Sequence, residues 1–182
     1  YQAYMKAKTY AEECGFDAIG CNEHHMSPFG MMPNPNLIAS ALTQMTTTAE
    51  IQLSGAIVPL SNPIRVAEEY AMVEVMSGGR LMAGFMRGIP HESVAYNIDP
   101  NDSWSRMREA VSLILKAWTE PEPFGWEGEH YQFRAVSIWP KPVQFPHPPI
   151  LMSGGSPTSA MFAAEHRAVM GILRVLNFDQ AR

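Results

Sequence analysis

The chain has 182 residues, of which 46% are hydrophobic and 17% charged, a composition typical of a globular protein with its own core. The formal net charge is −5 and no basic run is present, so nucleic acid is not an expected partner. No apolar run reaches the length needed to span a membrane. Cys14 and Cys21 fall on a predicted helix end and a buried strand, which predicts reduced thiols and a cytoplasmic location.

Apolar periodicity and turn residues predict strands and helices that alternate along the chain. The predicted strands cover residues 16–21, 51–58, 80–85, 149–153 and 169–173, and the predicted helices cover residues 4–11, 35–45, 63–76, 104–118 and 157–166. Asn34-Pro35 and Asn62-Pro63 predict a capped start for two of these helices. This alternation is typical of a parallel sheet.

Two regions depart from the alternation. Residues 121–149 are rich in proline and aromatic residues, and we expect an ordered excursion with a hairpin of residues 131–133 against 136–138. Residues 88–102 predict a polar loop. The chain begins inside a helical pattern, and residues 177–182 are typical of the start of another helix, so the chain is expected to be a piece of a longer protein.

Three polar residues, Glu23, His24 and His25, follow the first predicted strand. In α/β sheets and barrels the ligand lies beyond the carboxyl ends of the strands, so this cluster stands where chemistry is expected. A histidine near neutral pH can exchange protons. The alternative interpretation is that these side chains only hydrogen-bond nearby backbone.

A second group of residues predicts an anion site. Residues 153–159 form a glycine- and hydroxyl-rich turn into a helix, where free N–H groups and the helix dipole favour an anion. Arg87 ends the third predicted strand and could bind the same anion. The alternatives are that Ser156 only caps the helix and that Arg87 forms an ion pair with Glu92. No Gly-x-Gly-x-x-Gly or Walker-type motif is present.

Gly55 lies within a predicted buried strand, where glycine often marks a bulge or the close approach of a ligand. The ordered set of motifs over residues 11–171 resembles the bacterial luciferase-like monooxygenase family. The motifs are Glu23-His24-His25, Gly55-Ala56-Ile57-Val58, Asn62-Pro63-Ile64-Arg65, Glu68-Glu69, Ser77-Gly78-Gly79-Arg80-Leu81, Arg87-Gly88 and Ser153-Gly154-Gly155-Ser156.

The resemblance implies a (β/α)8 TIM barrel, present here as a single domain over residues 1–182 that holds about strands two to six of an incomplete barrel. It also implies a two-component monooxygenase that uses O2 and reduced FMN, supplied by a separate flavin reductase, to oxygenate a small, mostly apolar substrate. A homodimer or heterodimer is expected. The alternatives are a deazaflavin (F420)-dependent oxidoreductase on the same barrel and a non-catalytic flavin-binding protein or subunit.

Site residues also follow from the resemblance. His24 matches the catalytic histidine, and the Gly55–Ala56 peptide matches a non-prolyl cis bond that supports the flavin ring. The flavin phosphate is assigned to Arg87, Ser156 and Ser159, with Gly155 among them. Met86 stands where luciferase has a reactive cysteine, and Gly155 replaces a carboxylate. Phe29, Met31, Met32 and the excursion are expected to line the substrate pocket.

Overall fold

The computed structural model describes residues 1–172. Its strands are β1 (Ala18–Asn22), β2 (Glu50–Ser54), β3 (Leu81–Phe85), β4 (Phe124–Glu127), β5 (Gln132–Val136), β6 (Ile150–Ser153) and β7 (Val169–Gly171). Its α-helices are α1 (Gln2–Glu13), α2 (Pro35–Met45), α3 (Pro63–Ser77), α4 (Pro90–Ala95), α5 (Ser103–Thr119) and α6 (Pro157–Glu165). Within this part of the chain, no helix is both long enough and apolar enough to cross a membrane.

Five strands form one sheet in the order β1-β2-β3-β6-β7, and every neighbouring pair is parallel. The register places Ile19 opposite Ile51, Ile51 opposite Leu81 and Ala83 opposite Ile150. Helices connect the successive strands, as parallel pairing requires. The prediction of parallel strands in sequence order is confirmed, and the reversal of order typical of a flavodoxin-like sheet is absent from residues 1–172.

Asparagine side chains start the helices that cover this sheet. Asn34 Oδ1 accepts the Asn36 N–H at 3.1 Å, and Asn62 Oδ1 accepts the Ile64 N–H at 2.9 Å. Both caps are followed by proline at the first helical position, as predicted. Helix α3 ends at Gly78, whose φ of 70° is left-handed and therefore suits glycine.

A stack of three aromatic rings joins α3 and α5 to β3. Tyr70, Phe85 and Trp118 are buried, with ring centroids 5.7 Å apart for Tyr70 and Phe85 and 5.9 Å apart for Phe85 and Trp118. The buried hydroxyl of Tyr70 donates to Gly84 O at 2.8 Å. This bond fixes the end of β3, which leads directly to Met86 and Arg87.

Two predicted segments near the carboxyl ends of the strands were wrong. The strand expected over residues 51–58 ends at Ser54, because Gly55 has φ 148° and leaves the extended conformation; only a single bridge from Ile57 to Met86 follows. The loop expected over residues 88–102 contains α4 and a 3-10 turn, Pro100–Asp102. Proline stands at the start of both elements, where its missing N–H costs no hydrogen bond.

The predicted hairpin was also wrong. Strand β4 pairs antiparallel with β5, so residues 131–133 do not pair with residues 136–138. The chain turns instead at residues 128–131, where the Gly128 N–H donates to Tyr131 O at 3.0 Å. Residues 134–135, the turn that the prediction required, lack the glycine, asparagine or aspartate that a tight hairpin favours. Ile138 is buried in the core instead of pairing in a strand.

The proline-rich excursion is ordered and attached to the helices beneath it. Lys141 Nζ donates to Ala117 O and Glu120 O, each at 2.7 Å, and the Gln144 N–H donates to Glu74 Oε1 at 3.1 Å. Several strand limits differ from prediction by one or two residues; for example, β1 begins at Ala18 and β7 ends at Gly171. The helix start predicted at residues 177–182 lies outside the described residues.

The close approach of β3 to β2 at Gly84 gives a stability prediction. A Cβ on Gly84 would overlap Leu53 O, whereas a Cβ on Gly20 of β1 would make only ordinary contacts, with Ser54 Oγ at 3.7 Å and Gln52 Nε2 at 4.0 Å. We expect Gly84→Ala to lower the free energy of unfolding by about 3 kcal/mol, the cost of severe overpacking, and Gly20→Ala to change it by less than about 1 kcal/mol. Urea unfolding of the two variants measures both values. Equal midpoints would contradict the packing described for β3.

Candidate active site

The predicted site residues follow four neighbouring strands at their carboxyl ends. His24 follows β1, Gly55 follows β2, Arg87 follows β3, and Gly155 follows β6. Since these strands are all parallel, the four positions lie along one edge of the sheet. This edge is where ligands bind in parallel α/β folds.

His24 is held by main-chain and side-chain contacts. Its N–H donates to Met32 O at 3.0 Å, and its Nδ1 lies 3.3 Å from Glu92 Oε1. The side chain is 27% exposed, whereas that of Glu92 is 1% exposed. The Phe29 ring meets the imidazole edge to face, with centroids 4.8 Å apart. The buried carboxylate of Glu92 therefore orients His24, whose ring remains accessible.

Glu92 is the functional neighbour that the sequence interpretation missed. Its Oε1 also accepts the His25 N–H at 3.0 Å, and its Oε2 accepts the Ile89 N–H at 3.0 Å. Burial raises the pKa of Glu92, but these hydrogen bonds and the contact with His24 outweigh burial and leave the pKa below its usual value. The sequence carried a signal for the start of α4, since a proline followed two residues later by glutamate is typical of a helix start, but none for the contact of Glu92 with His24.

His25 belongs to a separate chain of hydrogen bonds. Its Nε2 lies 2.8 Å from Glu23 Oε1, and its Nδ1 lies 2.9 Å from the Tyr96 hydroxyl. Glu23 Oε1 also accepts the Ile57 N–H at 3.3 Å. Burial raises the pKa of Glu23, although its hydrogen bonds from His25 and Ile57 oppose the rise. Glu23 thus joins β1 to the segment after β2.

Gly55 and Ala56 lie buried beside this cluster. A Cβ on Gly55 would lie 3.3 Å from Glu23 Cβ and 3.5 Å from Met86 Cγ, so the backbone approaches both neighbours closely. The expected cis peptide between Gly55 and Ala56 was wrong, because the cis bonds within residues 1–172 precede only Pro140 and Pro146. The Ala56 N–H donates to Gly84 O at 3.2 Å and Ala56 O accepts the Met86 N–H at 2.9 Å, and this parallel pairing is compatible with the intrinsically favoured trans form.

Arg87 and the turn before α6 line one cavity of about 550 Å³. Its lining residues are Arg87, Trp104, Met107, Ser153, Gly155, Ser156, Thr158 and Ser159. Arg87 is exposed and forms no ion pair with any residue in the range 1–172. The alternative of an Arg87–Glu92 ion pair was wrong, since the Glu92 carboxylate instead contacts His24 and backbone N–H groups.

The turn itself presents a dense set of hydrogen-bonding groups. Ser156 Oγ accepts the Ser159 N–H at 3.2 Å and caps α6. Ser159 Oγ in turn accepts the N–H groups of Gly155 at 3.1 Å and Ser156 at 3.0 Å. Nothing lies within 4 Å of a Cβ built on Gly155, so the turn has open space beside it. Thr158, which belongs to the predicted turn, also lines this cavity, whereas Trp104 and Met107 were missed because they are distant from the turn in sequence.

The expected apolar pocket residues are divided between two places. Phe29 packs on His24, whereas Met31 and Met32 line a separate cavity of about 320 Å³ together with Tyr1 and Tyr4. Met32 is buried, and Met31 is exposed. Of these three residues, Phe29 is the one placed beside the histidine cluster.

Comparison with known proteins adds three findings. The flavin-dependent trigonelline monooxygenase, oxygenase component, of Acinetobacter baylyi is 31% identical over 169 residues, covering 91% of this chain and 46% of that protein. The crystal structure of the monooxygenase RslO1 from Streptomyces bottropensis superposes with a TM-score of 0.89 at 29% identity, covering 95% of this chain and 53% of that one. An F420-dependent secondary alcohol dehydrogenase, at 21% identity and a TM-score of 0.79, covers 89% of this chain and 51% of that one and shares the fold.

The chain spans about half the length of the curated relatives that it matches. Its five parallel strands form a curled half-barrel of the TIM-barrel type, as predicted. The family model described as luciferase-like monooxygenase matches residues 2–181, nearly the whole sequence. The chain therefore belongs to the luciferase-like monooxygenase family.

Proposed function

We propose that the whole protein is the oxygenase component of a two-component, FMN-dependent monooxygenase. The observation that carries this proposal is the cavity shared by Arg87 and the turn before α6. An arginine that has no carboxylate partner among residues 1–172, serine hydroxyls and the N–H groups of a helix start together match the charge and acceptor geometry of a phosphate. FMN has such a phosphate and riboflavin has none.

The residues present fit this group. Arg87 would supply the charge, Ser156 and Ser159 would donate hydroxyl hydrogen bonds, and Gly155 would contribute its backbone N–H. Ser159 Oγ now accepts two backbone N–H groups, from Gly155 and Ser156, and a phosphate oxygen could accept the same donors. Gly55 and Ala56, buried at the end of β2, would support the flavin ring. Reduced FMN, when bound, would supply the electrons that activate O2.

His24 would be the residue that transfers a proton. It is accessible and oriented by Glu92, and an imidazole ring can both accept and donate a proton. The exposed Phe29 ring beside it would favour a small, mostly apolar organic substrate. The deazaflavin alternative shares the fold but transfers hydride, so O2 consumption by the reduced whole protein distinguishes the two activities.

The partner, the oligomeric state, the domain organisation and the location expected from the sequence are also part of this proposal. A separate flavin reductase would supply reduced FMN, as the name of the Acinetobacter baylyi relative, an oxygenase component, suggests for that protein. Exposed apolar side chains on α2 and α3 favour a dimer: Leu37, Met45, Met72, Val75 and Met76. We further propose one domain that includes the excursion, and a cytoplasmic location, in agreement with the free thiols of Cys14 and Cys21.

Arg87→Ala tests the phosphate assignment. Losing charge-assisted hydrogen bonds of about 1.5–3 kcal/mol should weaken FMN binding roughly 10- to 100-fold, while riboflavin binding should change by less than about threefold. Fluorescence titration of the whole protein with both flavins measures the two constants. Arg134→Ala, which removes an exposed arginine of β5, is the matched control and should change neither. Equal losses for FMN and riboflavin in Arg87→Ala would contradict a phosphate role.

His24→Ala tests the proton-transfer assignment. FMN should still bind, because the residues proposed to bind its phosphate are unchanged. Turnover should fall by roughly a hundredfold or more, the usual scale for a positioned acid or base. Substrate-dependent O2 consumption and flavin binding are measured on one preparation. His91→Ala, which removes an exposed histidine of α4, is the control and should keep its turnover. Normal oxygenation by folded His24→Ala would contradict the assignment.

A further inference from the structure

Three nitrogen atoms surround the buried carboxylate of Glu92: the N–H groups of His25 and Ile89 donate to it, and His24 Nδ1 lies 3.3 Å from it. We propose that Glu92 is the positioning residue for His24: it holds the proton on Nδ1, so that Nε2 is the nitrogen that exchanges a proton with the substrate or cofactor. This inference builds on the role proposed above for His24, and it adds which ring nitrogen acts and which residue fixes it.

The ionisation of Glu92 determines the tautomer. Although burial opposes ionisation, the hydrogen bonds to the carboxylate outweigh it and keep the pKa low, so the group is an anion at neutral pH. A carboxylate can only accept hydrogen bonds. The 3.3 Å contact with His24 Nδ1 therefore requires a hydrogen on Nδ1, which leaves the lone pair of neutral imidazole on Nε2.

The second histidine shows why His24, and not His25, is available for proton exchange. Both ring nitrogens of His25 are already engaged, Nε2 with Glu23 at 2.8 Å and Nδ1 with the Tyr96 hydroxyl at 2.9 Å. His24 Nε2, by contrast, has no hydrogen-bond partner among residues 1–172. Each histidine thus has its own carboxylate, but only His24 keeps a free nitrogen.

Glu92 also fixes the ring in space. Its side chain is 1% exposed, so its interaction with His24 is little screened by salt. The Phe29 ring meets the imidazole at 79°, and the His24 backbone N–H is bonded to Met32 O. Glu92 belongs to α4, and its carboxylate also accepts the N–H of Ile89, the residue that precedes this helix. The position of His24 is therefore coupled to α4, which lies immediately after the Arg87 segment.

The tautomer can be read directly from the ring ¹⁵N chemical shifts of the whole protein without flavin, at about pH 8.5, where an ordinary histidine is neutral. We expect wild-type His24 to carry its hydrogen on Nδ1. Glu92→Gln, whose amide can donate to Nδ1 as well as accept from it, should shift His24 toward the Nε2–H form. Glu23→Gln is the matched control: it should alter the shifts of His25 and leave those of His24 unchanged.

Measuring turnover distinguishes a failure of this inference from a failure of the role proposed for His24. Glu92→Gln should lower turnover about tenfold or more with FMN binding retained, the scale on which a misplaced histidine tautomer affects catalysis, and Glu92→Asp should restore part of it. A tautomer shift with unchanged turnover would contradict the role proposed for His24 while leaving the positioning intact. An Nε2–H tautomer of His24 in the wild-type protein would overturn the positioning role. The wild-type measurement decides even if the variant does not fold.

Discussion

The parallel pairing of neighbouring strands is the constraint on which the candidate site depends. Because the strands run in one direction, the chain leaves each of them at the same edge of the sheet, where His24, Gly55, Arg87 and Gly155 lie. A shift of one residue in the register would exchange the two faces of a strand and separate these groups. The ring stack on β3 and the hydrogen bond from Tyr70 to Gly84 fix that register next to the site.

The acidic and basic side chains at this edge contact different partners. The buried carboxylates of Glu23 and Glu92 each contact one histidine, and neither forms an ion pair with Arg87. Arg87 instead shares its cavity with the turn before α6. The N-terminal end of that helix carries a partial positive charge, as the guanidinium does. His24, the proposed proton-exchanging group, follows β1, and Arg87, the proposed anion-binding group, follows β3, so the two lie along the same edge of the sheet without mutual neutralisation.

Most of the fold could be predicted from local sequence patterns, whereas contacts between residues far apart in the sequence could not. Asn62-Pro63 predicts a helix start because the cap forms within four residues. The alternation of strands and helices allows few possible strand orders in the sheet. The His24–Glu92 contact spans 68 residues, so no local pattern indicates it. The hairpin was misplaced because the sequence interpretation did not recognise β4 as its first strand, on the other side of the turn at residues 128–131. The Gly55–Ala56 geometry was taken from the family resemblance, and backbone pairing in this chain gives the trans form.

A crystal structure of the whole protein with FMN would test directly whether Arg87 and the turn before α6 hold the FMN phosphate. We expect phosphate oxygens within about 3.2 Å of the Arg87 guanidinium and of hydroxyl or N–H groups in residues 155–159. A phosphate bound elsewhere along the strand ends, or directed into solvent with Arg87 uninvolved, would contradict it.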